Sequence, residues 1–342
     1  MQDNSSRHES DQDGPALVGL PRDRKKPRPD ERTQERIEVE LVAAVLAMLD
    51  EEPVVMLGTS AASDAASADA ASVLQLPSCH FEPSRHETLD TAVRAGVLAG
   101  CSPDATHLEQ LSAHCTERAG GQSGIGALSV GYLALVRADR VGHLPRSGWL
   151  KLYDVLPWED WRQGRPTGLS EVIVPGLMRW LETSNAAADS GTGISLARVR
   201  IAFGLDESSW DDERVIERLE ILEEAGLLAQ VSQPALRPTH RRIIAAALGR
   251  LRSRIRHRPV VFELLPAQFT LFELQRAVEA ILGPHLHKQN FRRLVEGMGL
   301  VEPTGDVRSH TGGRPARLFR FRPAVMLERA SPGMRIRPGK AA

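Results

Sequence analysis

The residues with the clearest chemical potential sit in one short run near the C-terminus, Lys288-Gln289-Asn290-Phe291-Arg292-Arg293. Lys and Arg can donate to guanine O6 and N7, and Asn and Gln match the donor and acceptor edge of adenine. Such side chains on one helix face can read bases in a DNA major groove. A second set is acidic: Glu220, Glu223 and Glu224 in the run Leu219–Leu227, LEILEEAGL. Carboxylate oxygens grouped on a helix can hold a divalent cation and polarise water beside a pyrophosphate. A third set, Cys79, His80, His86, Cys101, His107, His114 and Cys115, matches no zinc spacing and reads as scattered surface residues. Gly124–Gly126 (GIG) lacks the strand-to-helix context of a phosphate loop. No nucleophile, base and orienting group can be assembled from the sequence, so catalytic residues and metal ligands are expected to be absent.

The elements around Lys288 are the best defined in the chain. Thr270-Leu271-Phe272-Glu273 has the spacing of a capping box, with Phe269 and Leu274 placed as a hydrophobic staple. The helix they start carries Leu271, Leu274, Val278 and Ile281 on one stripe and stops at Gly283-Pro284. A second helix follows over Lys288–Met298, with Phe291, Leu294, Val295 and Met298 inward and Lys288, Gln289, Asn290, Arg292 and Arg293 outward. Leu300–Glu302, a polar tip at Gly305–Gly313 and Ala316–Arg322 then give strand, wing and strand. This order predicts a winged helix-turn-helix, with Arg308, Arg314 and Arg317 on or beside the wing and suited to phosphates or the minor groove. A small protein-binding domain with a solvated basic face is the alternative; the local excess of arginine favours DNA.

The chain has 342 residues, 42% of them hydrophobic, enough for two or three domains with buried cores. Its net charge of −1 conceals an asymmetry. From Leu236 onward there are 21 Lys+Arg against 7 Asp+Glu; before it the counts are 22 and 37. Opposed halves are what a polyanion-binding module joined to an acidic domain would show, although chance segregation gives the same totals. No apolar run is long enough to span a bilayer, the charged N-terminus is not a secretory signal, and three unpaired cysteines fit a reducing cytoplasm.

Further upstream, residues 1–36 are rich in charge and proline and are read as a disordered arm, its basic run Arg22–Arg28 a solvated tail. Leu41–Leu49 and Val54–Leu57, separated by Asp50–Pro53, predict paired strands. Ser60–Ser72 is a low-complexity loop. Leu89, Val93 and Val97 predict an amphipathic helix over His86–Ala99, and Ser129–Val136 a buried strand. Leu169–Gln230 is mostly helical, and a basic amphipathic helix over His240–His257 packs either on the body or on a second copy of itself.

The motifs FELLP, FTLFELQ, KQNFRR and GRPARLF, in this order, resemble the C-terminal half of Nudix-related transcriptional regulators of NAD metabolism, nearest the NadQ-type members of that NrtR/NadQ group. The likeness extends through YDVLPWEDWRQGRP (Tyr153–Pro166) and RIAFG (Arg200–Gly204), covers most of 37–337, and weakens within 58–127. It implies an α+β multi-domain chain. The parts would be an arm at 1–36, a Nudix-like α/β domain at 37–166, a helical connector region at 167–236, a basic linker helix at 237–257, a winged helix at 258–323 and a tail at 324–342. It also implies a dimeric repressor of NAD biosynthesis or salvage genes that binds a double-stranded operator and senses ATP, NAD or ADP-ribose, with no cofactor. The Nudix box, G-x5-E-x7-REUxEExGU with U aliphatic, can be laid on Phe81, Glu87 and Ala95–Pro103. Only Glu87 survives; the three metal-binding glutamate positions fall on Gly96, Ala99 and Gly100, which supply no carboxylate, so hydrolysis is not expected.

The run LEILEEAGL is a rival, since it matches the end of the same box at every position except the arginine. Its leading glycine and glutamate positions fall on Leu205 and Asp211, and Leu219 takes the arginine's place. A charged, solvent-facing helix is the better reading. The alternative functions are therefore a Nudix-type pyrophosphohydrolase regulated by its C-terminal domain, and a winged-helix scaffold that binds another protein.

Overall fold

The computed structural model describes residues 37–58, 73–99, 105, 107–117, 125–141, 148–187, 195–206, 208–309, 315–328 and 333–334. The expected arm, the low-complexity loop, Gly100, Cys101 and Arg314 lie outside the described residues.

A mixed sheet forms the centre of the body. Its strands are β1 (Glu38–Leu49), β2 (Glu52–Met56), β3 (Ser78–His80), β4 (His107–Glu117), β5 (Ile125–Leu135) and β6 (Trp149–Lys151), in the order β4-β5-β1-β2-β6 with β3 also on β1. The sequence expectation of paired strands holds: β1 and β2 are antiparallel, from Leu46 opposite Val55 to Leu49 opposite Glu52. Asp50 and Glu51 between them both adopt positive φ, 49° and 64°, the backbone twist a two-residue hairpin needs. β1 and β5 run parallel, Leu41 opposite Val130.

The apolar continuity of β1 has a direct structural reason. Leu41, Ala43, Val45 and Ala47 face one layer, while Val42, Ala44, Leu46 and Met48 face the other. A strand covered on both faces cannot alternate with polar residues. The first layer is α1 (Leu89–Val93), which continues as a π turn over Arg94–Leu98 and buries Ala92, Val93, Val97 and Leu98. It begins three residues later than the periodicity implied, because the Thr88 hydroxyl accepts the Thr91 N–H and caps it there. A single turn, α2 (Ala138–Val141), closes the same layer through Val141.

The second layer is larger. It holds α3 (Leu152–Val155), α4 (Val174–Ala187, entered through a π turn at Leu169–Ile173), α5 (Leu196–Phe203), α6 (Val215–Glu224), α7 (Leu228–Val231) and α8 (Pro238–His257). α8 is the basic amphipathic helix, and it packs on the body: Ile243, Ile244, Ala247, Leu248, Leu251 and Ile255 are all buried. Each of the isoleucines and leucines contributes about 1.5–3 kcal/mol by leaving water.

The C-terminal module follows as α9 (Leu271–Leu282), α10 (Lys288–Gly297), β7 (Val301–Arg308), β8 (Ala316–Phe321) and α11 (Val325–Glu328). β7 and β8 pair antiparallel with a register shift between Pro303 and Val307. β7 runs six residues beyond the expected Glu302 because both strands continue into the wing. Phe269 adds a bridge to Phe319, with N–H to O distances of 2.9 and 2.8 Å, so the chain entering α9 acts as a third short strand. Phe262 packs on Phe269 and Phe321 at 5.6 and 4.7 Å between ring centroids and fills the space beneath them.

Candidate nucleic-acid interface

α9 begins as its sequence requires. The Thr270 hydroxyl accepts the Glu273 N–H at 3.1 Å, and Glu273 Oε2 accepts the Thr270 N–H at 2.7 Å. Capping of this kind contributes on the order of 1 kcal/mol. The helix ends at Gly283, whose φ of 95° closes it and turns the chain toward α10.

α10 buries Phe291 and Val295, with Leu294 and Met298 packed partly against the core. Lys288, Gln289, Asn290, Arg292 and Arg293 are all exposed, so the polar residues expected to read bases share the outward side of one helix beside the β7–β8 hairpin. Arg292 is held by Glu296, one turn on, at 2.9 Å. Arg317 is exposed on β8. Arg308 ends β7 at the wing, and it is paired. Its guanidinium donates to Glu273 Oε1 at 2.6 Å and faces Gln268 O at 3.4 Å, and so clamps the wing to the start of α9. The capping carboxylate has a second oxygen to offer, and Arg308 is the cation within reach.

The charge asymmetry has a second role within the chain. Part of the basic set pairs with carboxylates from the earlier, acidic part of the chain. Arg250 and Arg254 meet Glu109 of β4 at 2.8 and 2.5 Å. Arg242 meets Glu223 at 2.6 Å, Arg256 meets Asp212 and Glu213, and Arg276 meets Glu51 at 3.0 Å. The arginines of α8 therefore join helix to body, and the exposed cationic face is narrower than composition suggested.

At the centre of this network Glu159 lies between Arg218 and Arg252, all three fully buried. Arg218 Nε donates to Oε1 at 2.6 Å and Arg252 Nη1 to Oε2 at 2.5 Å. Burial alone would raise the Glu159 pKa; the charges and hydrogen bonds of the two guanidiniums outweigh it and hold the carboxyl below its ordinary range. Arg218 also donates to the carbonyls of Ala202 and Asp211, and Trp210 lies 3.9 Å from its guanidinium carbon. Arg252 reaches across to α9, its Nε donating to Ile281 O at 2.8 Å. Tyr153 joins it there, its hydroxyl donating to Ala280 O at 2.5 Å. The last carbonyls of a helix have no partner within the helix; for α9 the body supplies them. Sequence reasoning missed this seam, since a charged residue in isolation reads as surface.

Gly96 lies in the π turn, and a Cβ there would sit 2.7 Å from Cys79 Sγ. Burial, with the Glu40 charge second, pushes the Cys79 thiol up, and the side chain packs against the layer that holds Ala92 and Val97. Glu87 is exposed. The rival carboxylates are dispersed: Glu220 meets Arg198 at 3.3 Å, Glu223 meets Arg242, and Glu224 faces solvent. Among the described residues no cluster of three or more His, Cys, Asp or Glu is arranged to hold a metal ion, and no helix is long and apolar enough to cross a membrane.

Together these elements define a Nudix-like α/β body carrying a winged helix-turn-helix docked on its surface. Residues 261–321 match the model of the NrtR DNA-binding winged helix domain, the segment that carries the motifs FELLP, FTLFELQ and KQNFRR. The chain is 42% identical over 82 residues to the ADPR-responsive transcriptional repressor NtrR of Acinetobacter baylyi, a stretch covering 24% of this chain and 32% of that protein. It thus spans about a third of that relative's length. Its fold is that of Shewanella oneidensis NrtR. The structure of that protein complexed with a 27mer DNA superposes with a TM-score of 0.50 at 18% identity, over 84% of this chain and 94% of the other. A second crystal structure of the same protein gives the same score and identity, over 84% and 95%.

Proposed function

We propose that this chain is a transcriptional repressor that docks α10 in the major groove of an operator, acts as a homodimer in the cytoplasm, and controls genes of NAD biosynthesis or salvage. One observation carries the reading: the exposed side of α10 presents Lys288, Gln289, Asn290, Arg292 and Arg293 beside a β-wing, within a segment that matches a DNA-binding domain. Arg317 and Arg314 take phosphates flanking the groove, and Arg308 contributes by fixing the wing.

The Nudix-like body is the sensor, and ADP-ribose is its first candidate effector, on the description of the Acinetobacter relative; ATP and NAD follow by shared adenine chemistry. It is not a hydrolase. Gly96 and Ala99 bring no carboxylate to the positions where metal would be held, and the Cys79 thiol occupies the space a side chain at Gly96 would need.

The test is a gel shift of the full chain on DNA upstream of NAD genes, with and without ADP-ribose. A shift that weakens steeply with salt and responds to the nucleotide is expected, because phosphate neutralisation releases counterions. No shift at low salt refutes the proposal. A thermal-shift comparison of ATP, NAD and ADP-ribose identifies the effector, since selective binding to the native state raises stability.

A further inference from the structure

Nothing on α10 itself fixes its beginning. His287 stands at the N-cap without a side-chain hydrogen bond, and the preceding turn, Gly283–His287, is short. The turn is instead held from α9 by two buried polar side chains. Glu279 Oε1 accepts the Leu286 N–H at 2.8 Å, and Gln275 Nε2 donates to Leu286 O at 2.8 Å. Gln275 Nε2 also donates to Glu279 Oε1 at 2.9 Å, which locks the pair to each other. Glu279 is 3% exposed and Gln275 8%. Around the second Glu279 oxygen stand Arg276 Nη1 at 3.3 Å and His285 Nδ1 at 3.4 Å. Both backbone polar groups of Leu286, two residues before Lys288, are thus gripped by side chains buried within the module.

We infer that Gln275 and Glu279 are positioning residues for base reading: by gripping Leu286 they set the angle at which α10 leaves the turn, and with it operator specificity. The inference rests on the reading of α10 as the recognition helix. Leverage makes it consequential. A ten-residue helix is about 15 Å long, so a swing of about 10° at the turn moves its far end by about 2.5 Å. Hydrogen bonds to base edges fail over a few tenths of an ångström, whereas phosphate attraction tolerates such shifts. Loss of the grip therefore removes discrimination and leaves general affinity.

The probe is the duplex that the unaltered full-length chain enriches from a random 30-bp library, compared with a scrambled duplex of equal composition by fluorescence anisotropy. For Glu279→Ala the ratio of selected to scrambled affinity falls at least ten-fold. Scrambled affinity stays within two-fold, and the slope against salt is unchanged. Glu279→Gln, whose amide oxygen still accepts from Leu286, keeps the ratio within three-fold. Gln275→Met, of similar shape and free of any buried charge change, lowers the ratio at least three-fold should Glu279→Ala melt early. An unchanged ratio in folded Glu279→Ala or Gln275→Met overturns the inference alone. Equal loss on both duplexes also overturns it, since it marks unfolding of the module. Failure of the unaltered chain to enrich any duplex removes the DNA-binding proposal, and this one with it.

Discussion

Glu159→Gln is the substitution that most directly questions the buried seam. The glutamine keeps the shape of the side chain and one acceptor, but it removes the negative charge between Arg218 and Arg252, neither of which reaches solvent. At an effective dielectric near 20, unit charges about 4 Å apart attract by about 4 kcal/mol, so two pairs lose about 8 kcal/mol of gross attraction. The carboxylate no longer has to be desolvated, which returns several kcal/mol. The net expected loss is about 3–5 kcal/mol, the range found when one partner of a buried ion pair is removed. Against a total stability of about 5–15 kcal/mol this is a large fraction. Urea unfolding followed by circular dichroism measures it. The triple change Arg218→Met, Glu159→Leu, Arg252→Met leaves no uncompensated charge but strips the donors from the carbonyls of Ala202, Asp211, Asp212 and Ile281, so it is expected to recover only part of the loss. A Glu159→Gln protein within 1 kcal/mol of the unaltered chain would refute the electrostatic account.

Three other outcomes follow from the geometry. Arg317→Ala, which removes one phosphate contact, lowers the slope of log affinity against log salt by about 0.9, while Arg292→Ala, already paired with Glu296, changes it less; salt titrations on a duplex would contradict this with an unchanged slope. His240 is buried with Nδ1 accepting the Leu76 N–H, and burial lowers its pKa to about 4, Glu40 and Arg237 being the charges nearby. The unfolded chain takes that proton near pH 6.5, so full stability is present above 6.5 and about 3 kcal/mol is lost as pH falls toward 4; His240→Asn should flatten the pH dependence of the urea midpoint, and a parallel profile argues against the assignment. Gly96→Glu restores one carboxylate of the box yet yields no metal-dependent hydrolysis of ADP-ribose, and costs about 1–3 kcal/mol through the contact with Cys79; turnover in a variant of unchanged stability would be the contrary result.

The parts of this molecule legible in its sequence are those governed by neighbours along the chain. The capping box at Thr270, the inward stripe of α10 and the hairpin at Asp50-Glu51 all depend on spacings of a few residues, and each is found where expected. What escaped depends on partners far apart. Glu159 and Arg252 are 93 residues apart, and Glu109 and Arg254 are separated by 145. Nothing local marks which carboxylate each arginine meets, so the sequence left open whether the basic helix packs on the body or on a second copy, and the charge totals read as two joined modules. Arg308 fits the same pattern, since its partner Glu273 is 35 residues away and already had a local role. The grip on Leu286 is intermediate: Gln275 and Glu279 are one helical turn apart, a signal visible in sequence but indistinguishable there from a solvated polar pair.

The bonds from Tyr153 and Arg252 to the last turn of α9 bear on protein engineering. A winged helix joined only by a tether could be exchanged between homologues like a cassette. Here an exchanged module would arrive with two carbonyls cut off from the phenol and guanidinium that complete them. A chimera spliced at residue 258 would inherit that mismatch, whereas one that carries Tyr153, Glu159, Arg218 and Arg252 along with the graft would keep its reading head at the native pitch.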